Sequence, residues 1–256
     1  MPPSRWMIAL LAAQALGCPA PEFADPDEIA CGSFSALVTF PTRDGVDLVA
    51  DYLPAAEANR GAVVLFHMAP PDNDRTGYPA DMRRALGDLD VSVLNVDRRG
   101  AGASGGNAPD ATRGIMARLD MEASTDFLTR TDRLCPVDSS KFILVGASNG
   151  STSVLDYTVA HEPELPHPAG VVWMSPGTYT ESNHEVSDHR DVLDPLPMLW
   201  LYPEDEPYSD QWRSGAGEDW SFHPEGAAHG TRMFDGGELQ DATVGRIAEF
   251  VQRWAD

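Results

Sequence analysis

Residues 142–150 read Phe-Ile-Leu-Val-Gly-Ala-Ser-Asn-Gly, and this stretch constrains the fold more than any other in the chain. Phe142 to Val145 is a short, wholly apolar run, the pattern of a strand buried on both faces of a parallel sheet. It leads directly into Gly146-Ala147-Ser148-Asn149-Gly150, a G-x-S-x-G turn, and then into a segment, Ser151 to Ala160, that can be helical. Strand, sharp turn and helix is the context that makes this pattern a nucleophile elbow, in which a strained turn lifts a serine clear of the sheet. Backbone crowding at such a turn leaves little room for side chains two residues either side, hence Gly146 and Gly150. The Asn149 N–H, at the start of the helix, would then face a developing oxyanion. The competing interpretation is an ordinary glycine-flanked loop that happens to hold a serine.

The rest of the chain reads as a hairpin followed by repeated strand–helix units. Phe34 to Phe40 and Val46 to Tyr52 alternate in polarity, and the Asp44-Gly45 pair between them signals a hairpin. Strands are expected at Ala62 to Phe66, Val91 to Val96, Gly170 to Met174 and Pro197 to Tyr202. Helices are expected at Ala80 to Leu89, Ile115 to Asp132 and Leu239 to Trp254. Within Ile115 to Asp132, the residues Met116, Leu119, Ala123, Phe127 and Leu128 fall at helical spacing. This order implies an α/β fold: a mostly parallel central sheet with an N-terminal antiparallel hairpin and helices on both faces. No internal repeat or linker interrupts residues 31–256, and residues 34–256 are expected to form one domain.

The N-terminus stands apart. Arg5 is the only charge in residues 1–18, and Trp6 to Leu16 is an apolar run, too short to span a bilayer comfortably but suited to a signal-peptide core. It ends in Ala15-Leu16-Gly17-Cys18, similar to a bacterial lipobox, with Ala15 where leucine is usual. Residues 1–18 are therefore expected to be a lipoprotein-type signal peptide. Export to the cell envelope would follow, with the membrane reached only through a lipid anchor on Cys18. The alternatives are a plain secretory signal, giving a periplasmic or secreted protein, and a buried helix or mis-assigned start. Residues 19–33, rich in proline and acid, are expected to be a flexible tether. Cys31 and Cys135 remain as an even pair, which in an exported chain suggests a disulfide rather than two free buried cysteines. The net charge of −22 argues against binding nucleic acid or anionic headgroups.

A serine nucleophile needs a base, an acid that holds the base, and oxyanion donors. In an elbow-bearing sheet of this kind the chain order is serine, acid, histidine. The last expected strand ends in Pro203-Glu204-Asp205-Glu206-Pro207, and beyond it only His223 and His229 remain. Two other patterns compete for attention. Gly100 to Gly105 satisfies G-x-G-x-x-G, but Gly106-Asn107-Ala108-Pro109 follows where a dinucleotide fingerprint needs a helix, so a structural turn is expected. His184 and His189, near Asp188 and Asp191, lack the spacing of a helical metal site and are expected on a solvated loop.

Several blocks then fall in a familiar order: Val-Val-Leu-Phe-His-Met-Ala (63–69), Asp-Arg-Arg-Gly-Ala-Gly-Ala-Ser (97–104), Val-Gly-Ala-Ser-Asn-Gly (145–150), Ser-Pro-Gly (175–177), Pro-Met-Leu-Trp-Leu-Tyr-Pro-Glu-Asp-Glu-Pro-Tyr-Ser (197–209) and Gly-Ala-Ala-His-Gly-Thr (226–231). On these blocks the chain, over about residues 34–254, resembles serine α/β-hydrolases of the small bacterial dienelactone-hydrolase-like esterase group. The resemblance implies an α/β-hydrolase fold with His229 as base, His223 being the alternative. It implies Glu206 as acid, although the group usually carries aspartate there; Asp205 serves if the loop shifts by one residue. The backbone N–H groups of Met68 and Asn149 would form the oxyanion hole, and neither metal nor organic cofactor is required. The stretch from Ser175 to Asp194, where many relatives carry a helical cap, is short here, so little or no cap domain and an open, shallow site are expected. The function implied is a carboxylesterase-like serine hydrolase that cleaves small-molecule ester or acyl substrates through an acyl-enzyme. The alternatives are a catalytically inactive surface lipoprotein with a binding role, and an amidase or peptidase. The sequence leaves the oligomeric state open.

Overall fold

A computed structural model of the protein describes residues 22–130, 133–179, 181 and 184–255. Its strands are β1 (Ala36–Pro41), β2 (Asp47–Leu53), β3 (Arg60–Phe66), β4 (Ser92–Asp97), β5 (Val137–Ala147), β6 (Gly170–Met174), β7 (Met198–Tyr202) and β8 (Trp220–Pro224). The helices are α1 (Ala80–Gly87), α2 (Gly114–Thr129), α3 (Asn149–Ala160), α4 (Arg190–Leu193) and α5 (Gly237–Ala255). All eight strands join one sheet of order β1-β2-β4-β3-β5-β6-β7-β8. β2 runs antiparallel to both of its neighbours, and every other pairing is parallel. The expected fold class is thus the one observed.

The apolar runs are continuous because both faces of the sheet are covered. Val64 and Phe66 of β3, with Phe142 and Leu144 of β5, pack against Met121 and Phe127 of α2 and Val154 and Tyr157 of α3. Their strand neighbours Val63, Leu65, Ile143 and Val145 point the other way, toward Met82 and Leu86 of α1 and Ile247 and Val251 of α5. Each such fully buried aliphatic side chain contributes about 1.5–3 kcal/mol relative to exposure. The central strands therefore form a stiff platform, and the loops at their C-terminal ends carry the candidate site.

Two features depart from expectation. β8 has no counterpart in the sequence reading, because Trp-Ser-Phe-His-Pro is short and its edge position is fixed only by pairing with β7. The Trp220 ring packs 5.5 Å from that of Trp200, and its N–H donates to the Leu193 and Leu196 carbonyls at 3.2 and 3.1 Å. The described part of the expected tether, residues 22–33, is not free. Ile29 is buried in the core, the Ala24 N–H donates to the Leu37 carbonyl at 2.9 Å, and Cys31 is bonded to Cys135, the pairing expected of them, with an S–S distance of 2.10 Å. One aliphatic anchor and one covalent bond override a polar, proline-rich composition. The bond closes a loop of sequence separation 104, which in the chain-entropy treatment stabilises the fold by about 4–5 kcal/mol. Cys18 and the signal-like run lie outside the described residues. Among the described residues, no helix is long and apolar enough to cross a membrane.

Candidate active site

Ser148 sits where β5 turns into α3, with φ 50° and ψ −119°, a conformation costly for a residue with a side chain. Its N–H donates to the Met174 carbonyl at 2.7 Å, and its carbonyl accepts from the Ser151 N–H and hydroxyl at 2.9 and 2.6 Å. The flanking glycines answer to close packing. A Cβ on Gly146 would lie 2.6 Å from the Gly150 oxygen, and one on Gly150 only 2.4 Å from the Phe66 oxygen. The G-x-S-x-G stretch forms the sharp, strained turn expected of it.

The loops after β7 and β8 meet beside this turn. The His229 Nδ1–H donates to Glu206 Oε1 at 2.5 Å, with both side chains about one-third exposed. Asp205, one residue earlier, is exposed, and it is Glu206 whose carboxylate reaches the imidazole. Bonding through Nδ1 leaves Nε2 as the basic nitrogen. The histidine loop packs against the elbow, since a Cβ on Gly230 would stand 3.6 Å from Ser148 Cβ and 2.6 Å from Met68 Sδ. His223 is elsewhere. It pairs with Leu201 within β8 and lines a cleft of about 340 Å³ with Arg246 and Trp254, where burial lowers its pKa. The Tyr179 ring stands edge-on to His229, with centroids 6.2 Å apart.

Ser175, at the end of β6, was visible in the sequence only as part of Ser-Pro-Gly. It is fully buried at φ 48°, donates its N–H to the Leu201 carbonyl at 2.7 Å, and accepts the Gly230 N–H on its hydroxyl at 2.8 Å. The end of β6 thus holds both the Ser148 turn, through Met174, and the histidine loop, through Ser175.

Met68 follows β3 and is nearly buried. Its loop is tied down by the preceding residue. His67 Nδ1–H donates to the Met68 carbonyl at 2.7 Å, and Nε2 accepts the Arg98 N–H at 3.0 Å. Both ring nitrogens are committed to the neutral imidazole, and burial lowers the pKa to about 3. Arg98 itself is fully buried. Its Nη1 donates to the His67 carbonyl at 3.3 Å and to Asn149 Oδ1 at 2.5 Å, while Nη2 donates to the Ala111 carbonyl and Ser153 Oγ, each at 2.8 Å. Burial pulls the guanidinium down to about 10, so it remains a cation at neutral pH. The Asn149 amide also donates to the Tyr179 carbonyl at 2.8 Å. Nothing in the sequence reading singled out His67 or Arg98 as parts of a site.

The glycine-rich segment after β4 is a structural turn, as expected. Asp97 accepts the Arg75 N–H at 2.9 Å and the Ala103 N–H at 2.8 Å, and a 3-10 turn (Ala108–Thr112), not a long helix, follows. Arg99 is held by buried Asp120 at 2.7 Å and grips Asp44 of the β1–β2 turn with two nitrogens, at 2.8 and 3.1 Å. His184 and His189 hydrogen-bond to each other, Nδ1 to Nε2, at 2.9 Å. In the stretch between β6 and β7, the described residues carry only a 3-10 turn (Val186–His189) and α4.

No protein-family model matches the sequence, and no curated protein does. Solved structures do. A Pyrococcus furiosus esterase is 16% identical and superposes with a TM-score of 0.66, over 92% of this chain and 100% of its own. An α/β serine hydrolase without lid from Xanthomonas campestris is 18% identical, with a TM-score of 0.65 over 89% of this chain and 98% of its own. A dienelactone hydrolase from Anabaena variabilis is 16% identical, with a TM-score of 0.63 over 87% of this chain and 99% of its own. With the sheet order and the loops at its C-terminal edge, these likenesses identify the chain as one with the α/β-hydrolase fold.

Proposed function

We propose that the protein is a carboxylesterase-like serine hydrolase of small esters and related acyl compounds. The observation that carries this reading is the His229–Glu206 hydrogen bond of 2.5 Å, formed between two loops and set beside a strained serine turn. Ser148 Oγ attacks the carbonyl carbon while His229 Nε2 takes its proton. The leaving group receives that proton, and a water activated by the same nitrogen then releases the acyl group. Glu206 holds the imidazole by Nδ1 and stabilises the imidazolium; in this role we choose it over Asp205. The N–H groups of Met68 and Asn149 stabilise the tetrahedral oxyanion. The esterase and dienelactone hydrolase among the structural neighbours support hydrolysis as the activity class. The short β6–β7 connection supports an open site suited to small or terminally exposed acyl groups. We place the protein in the cell envelope, lipidated on Cys18, a location to which the Cys31–Cys135 bond lends support.

Hydrolysis of p-nitrophenyl esters of increasing chain length tests the reading. Acetate and butyrate should be cleaved with the highest kcat/KM, and Ser148→Ala should abolish turnover. A kcat/KM that rises toward long-chain esters would contradict the open, small-acyl site, and undiminished turnover by Ser148→Ala would contradict the mechanism.

A further inference from the structure

The guanidinium of Arg98 is a cation in the interior whose hydrogen bonds go to neutral acceptors: the His67 and Ala111 carbonyls, Asn149 Oδ1 and Ser153 Oγ. Burying a charge is costly, so a fold that keeps one at such a place is spending stability on it. Two of its acceptors belong to the segments that supply the oxyanion donors. The His67 carbonyl and the Met68 N–H are the two ends of one peptide group, and in a trans peptide they point in opposite directions. A cation gripping the carbonyl end therefore fixes the direction of the Met68 N–H and polarises it toward a stronger donor. The same nitrogen, Nη1, holds Asn149 Oδ1, and so fixes the residue whose own N–H is the second donor. Nη2 adds Ser153, one turn further along α3. The backbone N–H of Arg98 closes the arrangement by donating to His67 Nε2.

We propose that Arg98 is a positioning residue for the oxyanion hole. One buried fork sets the spacing and direction of the Met68 and Asn149 N–H groups and places a positive charge behind both. This inference rests on the hydrolase reading of the site. It assigns Arg98 a part in transition-state stabilisation, not in substrate binding, because its contacts are with the donor peptides and not with the surface a substrate would meet. It also separates Arg98 from its neighbour Arg99, whose partners Asp120 and Asp44 are carboxylates that tie down the hairpin turn.

The test compares the full-length wild type with Arg98→Lys, which keeps the charge but cannot fork, and Asn149→Ala, which removes one grip while leaving the backbone N–H. Each is followed by thermal melting, by kcat and KM on p-nitrophenyl acetate, and by the affinity of a trifluoromethyl ketone, whose adduct places an oxyanion in the hole. In chains that melt cooperatively, kcat should fall by about 10- to 100-fold with KM little changed, and the ketone should bind more weakly by a similar factor. A merely structural role would lower the melting temperature and leave kcat and ketone affinity per folded molecule intact, and that result would overturn the proposal. So would a loss confined to KM. If Arg98→Lys does not fold, Asn149→Ala decides by the same two outcomes. A folded wild type that neither hydrolyses the ester nor binds the ketone would overturn the hydrolase reading, and this one with it. An active wild type with unaffected variants would overturn the Arg98 proposal alone.

Discussion

Glu206 meets His229 because the turn after β7 is phased by a hydrogen bond from the Glu206 N–H to the Pro203 carbonyl at 3.1 Å. That turn sends Asp205 outward and Glu206 inward, and the longer glutamate side chain spans the distance to Nδ1. The proposed mechanism makes the two acids unequal. Glu206→Ala should lower kcat/KM by about 10²–10⁴-fold, as loss of a triad acid does elsewhere. Asp205→Ala, a surface change, should stay within about threefold. Steady-state kinetics on p-nitrophenyl acetate checks both, and equal losses would mean that the acid role is misassigned. The serine turn and the serine–acid–histidine order made Ser148 with His223 or His229 legible as candidates, and the resemblance favoured His229, the one the folded loops bring beside the turn. The choice between two adjacent acids was not, since it depends on a one-residue phase that only the folded turn sets.

At the scale of elements, the loop after β3 owes its shape to partners far along the chain. His67 lies 31 residues from Arg98, and Arg98 lies 51 from Asn149. No local pattern announces such contacts, so the sequence indicated the loop through its fold position but not the charge and imidazole that hold it. The same limit hid β8, which is a strand because β7 is beside it. The neutral, buried His67 has a consequence for acid stability. Its folded pKa of about 3 lies below the ordinary 6.5, so the unfolded chain binds the proton first. Its contribution is fully present above pH 6.5 and is lost as pH falls from there toward 3. Between pH 7 and pH 5 the wild type should lose about 2 kcal/mol that a His67→Gln variant does not lose. Urea unfolding at the two pH values measures the difference, and parallel pH dependences for the two proteins would contradict the buried neutral imidazole.

At the scale of the molecule, the eight strands of the described residues, with both faces covered, supply a rigid platform, and loops from β3, β5, β6, β7 and β8 converge on one edge of it. The alternation of apolar runs with helical segments made this architecture readable, because a parallel sheet buried on both faces has few other sequence solutions. The Cys31–Cys135 bond was readable from the even pair of cysteines, but the docking of residues 22–33 was not, since it also hangs on Ile29 within an otherwise polar stretch. In the proposed mechanism this platform activates Ser148 through His229. Covalent labelling with a fluorophosphonate, mapped by peptide mass spectrometry, addresses it without any assumption about substrate. One label per folded chain is expected, located on Ser148, absent from Ser148→Ala and strongly slowed in His229→Ala. A folded wild type that takes up no label, or one that still labels after Ser148→Ala, would contradict it.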